Sequence, residues 1–301
     1  MTTLVKEIQP VSAVRKSGLR RPLLAYFLIA FLGTWALLWP LALSKAGTGL
    51  LPFEMPDVLF LLIFFGSAFT GPALAAVVVT SLESGRAGVK ELLRRIVLWR
   101  VGIHWYAIAL LSVLSVWLAA YSLVYRGVPA SNFIQNIGLI LPIFLTNVAL
   151  GLLFPSLGEE PGWRGFALPR LQARFGPLVG TAILGFLHSF WHLPALFTPL
   201  LGPFTPERFL AFLITGTAAT FIYTWIFNHT RGSILIAMLV HAASNAAASQ
   251  VMPMVIPQDA TPAAWAIALG PDWLNAISFS VAAVLLIFLT RGRLAYQGKD
   301  R

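Results

Sequence analysis

Of the eleven acidic residues in the chain, Glu159 and Glu160 stand apart. They adjoin each other directly after the apolar run Ile134 to Leu157, in the segment Gly158-Glu159-Glu160-Pro161-Gly162-Trp163-Arg164, and another apolar stretch follows. A carboxylate near membrane depth costs about 3 kcal/mol unless it is paired, so it is a functional candidate by default. Neighbouring side chains on a helix diverge by about 100°, which gives the two carboxylates different surroundings. Arg164 follows Glu160 by four residues, the spacing of an ion pair on one helical face, and that pairing leaves Glu159 free to face a cavity. Pro161 and Gly162 oppose it, because proline disfavours helical backbone at the residue before it. Taken alone, the three charges fit an ordinary interfacial cluster equally well.

Two polar pairs that contain histidine change that balance. His188 and His192 are one helical turn apart in Leu187-His188-Ser189-Phe190-Trp191-His192-Leu193-Pro194, and His241 and Asn245 repeat the spacing within the run Ile234 to Met252. Each histidine by itself reads as a satisfied packing residue. Imidazole and amide groups in lipid need partners, however, and three polar elements in three spans can supply one another. A carboxylate, imidazoles and an amide are what water-mediated attack on an amide bond requires: a proton acceptor and groups to stabilise the oxyanion. Imidazoles with a carboxylate also suit Zn²⁺. His104, beside Trp105 and Tyr106, and His229, in a turn, read as structural.

The elements that must position these groups are membrane spans. The 301 residues are 58% hydrophobic and 11% charged, whereas soluble domains carry roughly 25% charged residues. About eight apolar runs are long enough to cross a bilayer: Leu23 to Leu43, Val58 to Leu82, Ile103 to Tyr125, Ile134 to Leu157, Leu178 to Phe197, Phe209 to Phe227, Ile234 to Met252 and Leu274 to Thr290. Basic residues alternate between the connecting segments. Lys6, Arg15, Lys16, Arg20 and Arg21, then the stretch Arg86 to Arg100, then Arg164, Arg170 and Arg174, then Arg231, then Arg291 to Arg301 fall on one side, leaving Lys45, Arg126 and Arg208 on the other. This pattern predicts a cytoplasmic location for both termini.

The net charge of +10 follows that loop pattern and forms no aromatic-interleaved basic face, so no nucleic-acid partner is expected. The absence of cysteine excludes disulfides, thiolate metal sites and cysteine nucleophiles. The first apolar run is too long for a signal-peptide core and reads as a retained span. On charge pattern alone, Glu83 to Arg100 reads as a solvated basic loop rather than an amphipathic segment lying on anionic headgroups. Without a repeat, linker or second domain, the expectation is an all-α polytopic membrane bundle of about eight helices. It forms a single domain over 1–301, with a catalytic core at about 151–245.

With its flanks Gly162-Trp163-Arg164-Gly165-Phe166, Leu168-Pro169-Arg170-Leu171-Gln172 and Trp191-His192-Leu193-Pro194, the ordered set Glu159-Glu160-x-x-x-Arg164, x-x-x-His192 and His241-x-x-x-Asn245 resembles the CAAX prenyl endopeptidase and bacteriocin-processing (CPBP, or Abi) intramembrane proteases. The resemblance covers about Gly151 to Asn245, and the flanks look like bacterial members, which implies a bacterial plasma membrane. It implies a cavity open towards the cytoplasmic side and an endopeptidase acting on a peptide or protein substrate among membrane lipids. Glu159, assisted by His192, would activate water, His241 and Asn245 would stabilise the oxyanion, and Arg164 would orient the acidic pair Glu159 and Glu160. In the metal version His192 and His241, with Glu159, would ligate a divalent ion such as Zn²⁺; the family has also been argued to work without metal. Where the family carries a bulky aromatic this chain has His188, read here as a polar substitute for that wall residue rather than a ligand. The alternatives are a non-catalytic immunity or scaffold protein of the same fold and, more remotely, a proton-coupled transporter.

Overall fold

The structure, a computed structural model, describes residues 21–256 and 261–298. Lys6, Arg15, Lys16, Arg20, Lys299 and Arg301, which support the expected topology, lie outside them. Among the described residues every long element is helical, and seven helical segments are long and apolar enough to cross a membrane: α1 (Pro22–Leu43), α2 (Asp57–Ile96), α3 (Ile103–Val124), α4 (Ile137–Phe197), α5 (Pro206–His229), α6 (Ile234–Val255) and α7 (Ala264–Leu289). There are seven rather than eight because the expected fourth and fifth spans run together in α4. At 61 residues, α4 is far longer than the roughly 20 residues of one crossing, and it bends at Gly176, whose φ of 78° lies in the left-handed region.

Lipid is the solvent of the outer faces. Leu24, Leu28 and Leu32 repeat every four residues along α1 and are all exposed, whereas Tyr26, Ala30 and Thr34 on the opposite face are buried. α6 is the most enclosed of the seven segments, and α1 and α7 are among the least. α6 packs against α3 and the first part of α4, while the end of α4 packs on α5 and α5 on α7. Along α4 burial is local: the apolar window of this segment is the least enclosed of the seven, whereas Gly158–Ala167 is buried throughout.

Among the described residues four stretches wind as wide π turns: Phe69–Ala73, Leu152–Ser156, Pro161–Ala167 and Ala247–Val251. The first three contain Pro72, Pro155 and Pro161, and Pro253 follows the fourth closely. Proline removes an amide hydrogen and crowds the preceding turn, and a widened turn accommodates that within a continuous helix. Such bulges recur at functional sites. The concern that Pro161 would expel Glu160 from the helix is corrected here, since Glu160 keeps φ −65° and ψ −32°.

A second correction concerns Glu83 to Arg100, expected as a loop. The helix resumes after Gly85, whose φ is +60°, and continues to Ile96. Glu83 is buried and accepts a hydrogen bond from Nη2 of Arg170 at 2.7 Å. Its partner lies 87 residues away in sequence.

The two ends of the bundle differ in charge. At one end Ser233 Oγ donates to the Leu98 carbonyl at 2.7 Å, Asn228 Nδ2 to that of Leu294 at 2.9 Å, and Arg231 to that of Arg100. This gathers the cationic connections. At the other end Asn132 Nδ2 donates to the Val255 carbonyl at 3.0 Å, and the exposed pair Lys45–Glu54 closes at 3.1 Å.

The close packing has a direct test. A Cβ added at Gly162 would stand 2.6 Å from the Pro72 carbonyl oxygen and 2.6 Å from the Tyr26 hydroxyl, whereas one at Gly138 meets nothing within 4 Å. Denaturation in mixed micelles should show Gly162→Ala destabilised by about 1–3 kcal/mol, the usual cost of overpacking, with Gly138→Ala showing no loss.

Candidate active site

Glu159 and Glu160 occupy the single regular turn Leu157–Glu160 between two π segments. Both are buried, and they point to different neighbours as their adjacent positions require. The Glu160 side chain is inaccessible to solvent, and its Oε1 accepts from Nη1 of Arg164 at 2.8 Å and from Nδ1 of His241 at 2.8 Å. The i, i+4 ion pair expected from sequence is thus present, and it also reaches His241, two turns into α6. The Arg164 guanidinium lies 4.6 Å from the centroid of the Tyr223 ring, adding a cation–π contact.

Glu159 faces the histidines of α4. Its Oε2 lies 2.8 Å from Nε2 of His188, whose Nδ1 lies 3.4 Å from Nη1 of Arg164. A guanidinium only donates, so Nδ1 of His188 accepts, the ring proton sits on Nε2, and Nε2–H donates to Glu159. One turn later Nδ1 of His192 donates to the His188 carbonyl at 2.9 Å, which leaves the lone pair of Nε2 on His192 available. The two rings stand with centroids 5.2 Å apart. His192 holds this place because the regular helix ends at Trp191, and Pro194 then enters a short 3-10 turn, Leu193–Phe197.

One carboxylate oxygen and one nitrogen each from Glu159, His188 and His192 lie within 4.8 Å of one another. Two imidazoles and a carboxylate form a donor set used by catalytic zinc sites, and these residues would fit a divalent ion once Nε2 of His188 gives up the proton it shares with Glu159. The set differs from the expected one, because His188 occupies the place expected of His241. His241 is engaged instead with Glu160. His188, expected as a wall residue, faces Glu159 instead, and its one-turn spacing from His192 is the signal in the sequence for that. Tyr223 was missed altogether; a phenol in the middle of an apolar span was its only mark.

These groups line a cavity of about 480 Å³, with Asn245 on its wall. The Asn245 side chain is exposed, and among the described residues it makes no hydrogen bond to the acidic pair. The remaining wall is mostly apolar and reaches Leu38, Leu200 and Leu201. His229 stacks on Trp105 with centroids 4.7 Å apart, away from this cavity as expected.

Residues 140–247, which include all of these acidic, arginine, histidine and asparagine positions, match the family described as Type II CAAX prenyl endopeptidase Rce1-like. This part of the chain is similar to the Rce1-like CAAX proteases. Over 101 residues it is 31% identical to the CAAX prenyl protease 2 of the archaeon Methanococcus maripaludis, an alignment covering 31% of this chain and 36% of that relative. The chain thus matches about a third of the length of this curated relative.

Outside the residues of this Rce1-like match, Arg95 braces the site from the cationic end. Its Nε donates to the carbonyl of Gly232 at 2.9 Å and its Nη1 to that of Gly165 at 3.1 Å. The first carbonyl lies just before α6, which carries His241, and the second lies next to Arg164. Bonds from a charged donor contribute about 1.5–3 kcal/mol each. Arg95→Met should therefore lower unfolding free energy in detergent by about 2–4 kcal/mol. Arg95→Lys should restore less than half, since one ammonium lacks the fork that spans both carbonyls.

Proposed function

We propose that this membrane protein is an intramembrane endopeptidase in which Glu159 is the general base. The observation supporting this most strongly is the meeting of one buried carboxylate and two imidazoles on the wall of a cavity within the spanning region. The similarity of residues 140–247 to Rce1-like CAAX endopeptidases supports the same reaction class.

In this reading His188, donating through Nε2–H, holds Glu159 in place. Water then bridges Glu159 and the free Nε2 of His192. The water oxygen attacks the carbonyl carbon of the scissile bond while its proton passes to Glu159, and the oxyanion forms on the carbonyl oxygen. The Asn245 amide and His241 lie on the same wall and are the donors assigned to that oxygen, His241 acting through Nε2–H as the imidazolium that the Glu160 carboxylate holds at Nδ1. Glu160 fixes the His241 ring through Nδ1, as carboxylates do for working imidazoles. Collapse of the tetrahedral species breaks the C–N bond, and the proton held by Glu159 goes to the leaving amine.

Glu159, His188 and His192 are the residues that would hold a divalent ion, which when bound supplies Lewis-acid polarisation of water or carbonyl. Arg164 opposes a second cation there through its fixed charge, 3.4 Å from His188. The excess of cations at one end of the bundle supports a cytoplasmic placement of that end.

The test is cleavage of a peptide library by protein reconstituted in vesicles. Glu159→Gln keeps the shape of the side chain and removes the base, so kcat should fall by roughly 10²–10⁴-fold with folding unchanged. Full retention of cleavage by that variant would remove Glu159 from the mechanism, and a non-catalytic member of the fold would then be the better reading.

A further inference from the structure

Arg86, Lys90 and Arg94 follow one another at four-residue spacing in the helix that resumes after Gly85, and all are exposed. That spacing places them in one row on one face. The opposite face is bound to the protein through buried Leu92 and through Arg95, which reaches the carbonyls of Gly165 and Gly232. The row therefore points away from the bundle. Arg94 is bridged to Glu91 at 2.8 Å, while Arg86 and Lys90 form no ion pair among the described residues.

A solvated basic face would carry polar neighbours. Here Leu93, Val97 and Trp99 are each at least half exposed beside the row. Cations interleaved with exposed leucine, valine and tryptophan mark a segment in the plane of the membrane–water interface, where the ring and aliphatic groups sit among acyl carbons and the charges among headgroups. The backbone supports that placement, since the left-handed turn at Gly85 separates this helix from the spanning part of α2. It also sits at the cationic end of the bundle.

The geometry points to an anionic-phospholipid contact on this helix, with Arg86, Lys90 and Arg94 binding headgroup phosphates while Leu93, Val97 and Trp99 enter the interface. The same row of charge attracts no zwitterionic surface to a comparable degree. The inference is independent of peptide hydrolysis.

Native mass spectrometry of the full chain, released from micelles containing equal phosphatidylglycerol and phosphatidylcholine, tests it. The parent should retain phosphatidylglycerol preferentially. The variant Arg86→Gln/Lys90→Gln/Arg94→Gln should reduce its affinity for that lipid about tenfold. Arg86→Lys/Arg94→Lys, which keeps the charge, should retain most of it, and Lys45→Gln/Arg126→Gln at the opposite end should leave it unchanged. Equal retention of phosphatidylglycerol by the parent and the triple variant would overturn the assignment, as would an equal loss in the control. The substituted side chains are exposed, and an unchanged melting temperature of each variant guards against a loss caused by misfolding.

Discussion

A carboxylate fully removed from solvent inside a membrane protein must be neutralised by partners, and Glu160 imposes that requirement on the whole site. Its Oε1 is shared by Arg164, four residues further along the same helix, and His241, 81 residues away. Breaking such a pair by removing one partner leaves an uncompensated buried charge and costs about 3–5 kcal/mol. The surrounding helices are consequently constrained to bring α4 and α6 together at one point. Glu159, one residue earlier, is left facing the histidines and the cavity.

The irregular backbone has the same origin. Regular helix through Pro155 and Pro161 would clash, and the π turns Leu152–Ser156 and Pro161–Ala167 remove the clash while keeping the chain helical. Backbone groups released by such widening have no lipid partner. Arg95 supplies one to the Gly165 carbonyl and another to Gly232, so a residue of the cationic end stabilises the two elements that hold Arg164 and His241. Small residues do the remaining work at the crossing, where Gly158 and Gly162 let α4 approach the Phe69–Ala73 turn closely.

Much of this was legible in local spacing. The Glu160–Arg164 pair and the common face of His188 and His192 follow from a 3.6-residue period, and the apolar runs located the spans. What spacing could not show was which side chains from different helices meet. The His188–Glu159 contact spans 29 residues and the Glu83–Arg170 pair 87, and both depend on crossing angles that no local pattern encodes. Those crossings bring His188 to Glu159, place His241 on Glu160 and bury Glu83 against Arg170, and none of these meetings follows from spacing in the sequence. The merging of the fourth and fifth expected spans has a different cause, since a hydrophobic run reports where lipid is crossed and not whether the helix continues beyond it.

The central claim is that Glu160 joins Arg164 and His241 through one carboxylate, and a double-mutant cycle on Glu160 and His241 measures it directly. Unfolding free energies of Glu160→Gln, His241→Gln and the double variant in one detergent should give a coupling of at least about 1 kcal/mol, as expected for residues in contact. Additive effects within about 0.5 kcal/mol would show that the two side chains do not interact, and the proposed meeting of α4 and α6 at Glu160 would be wrong.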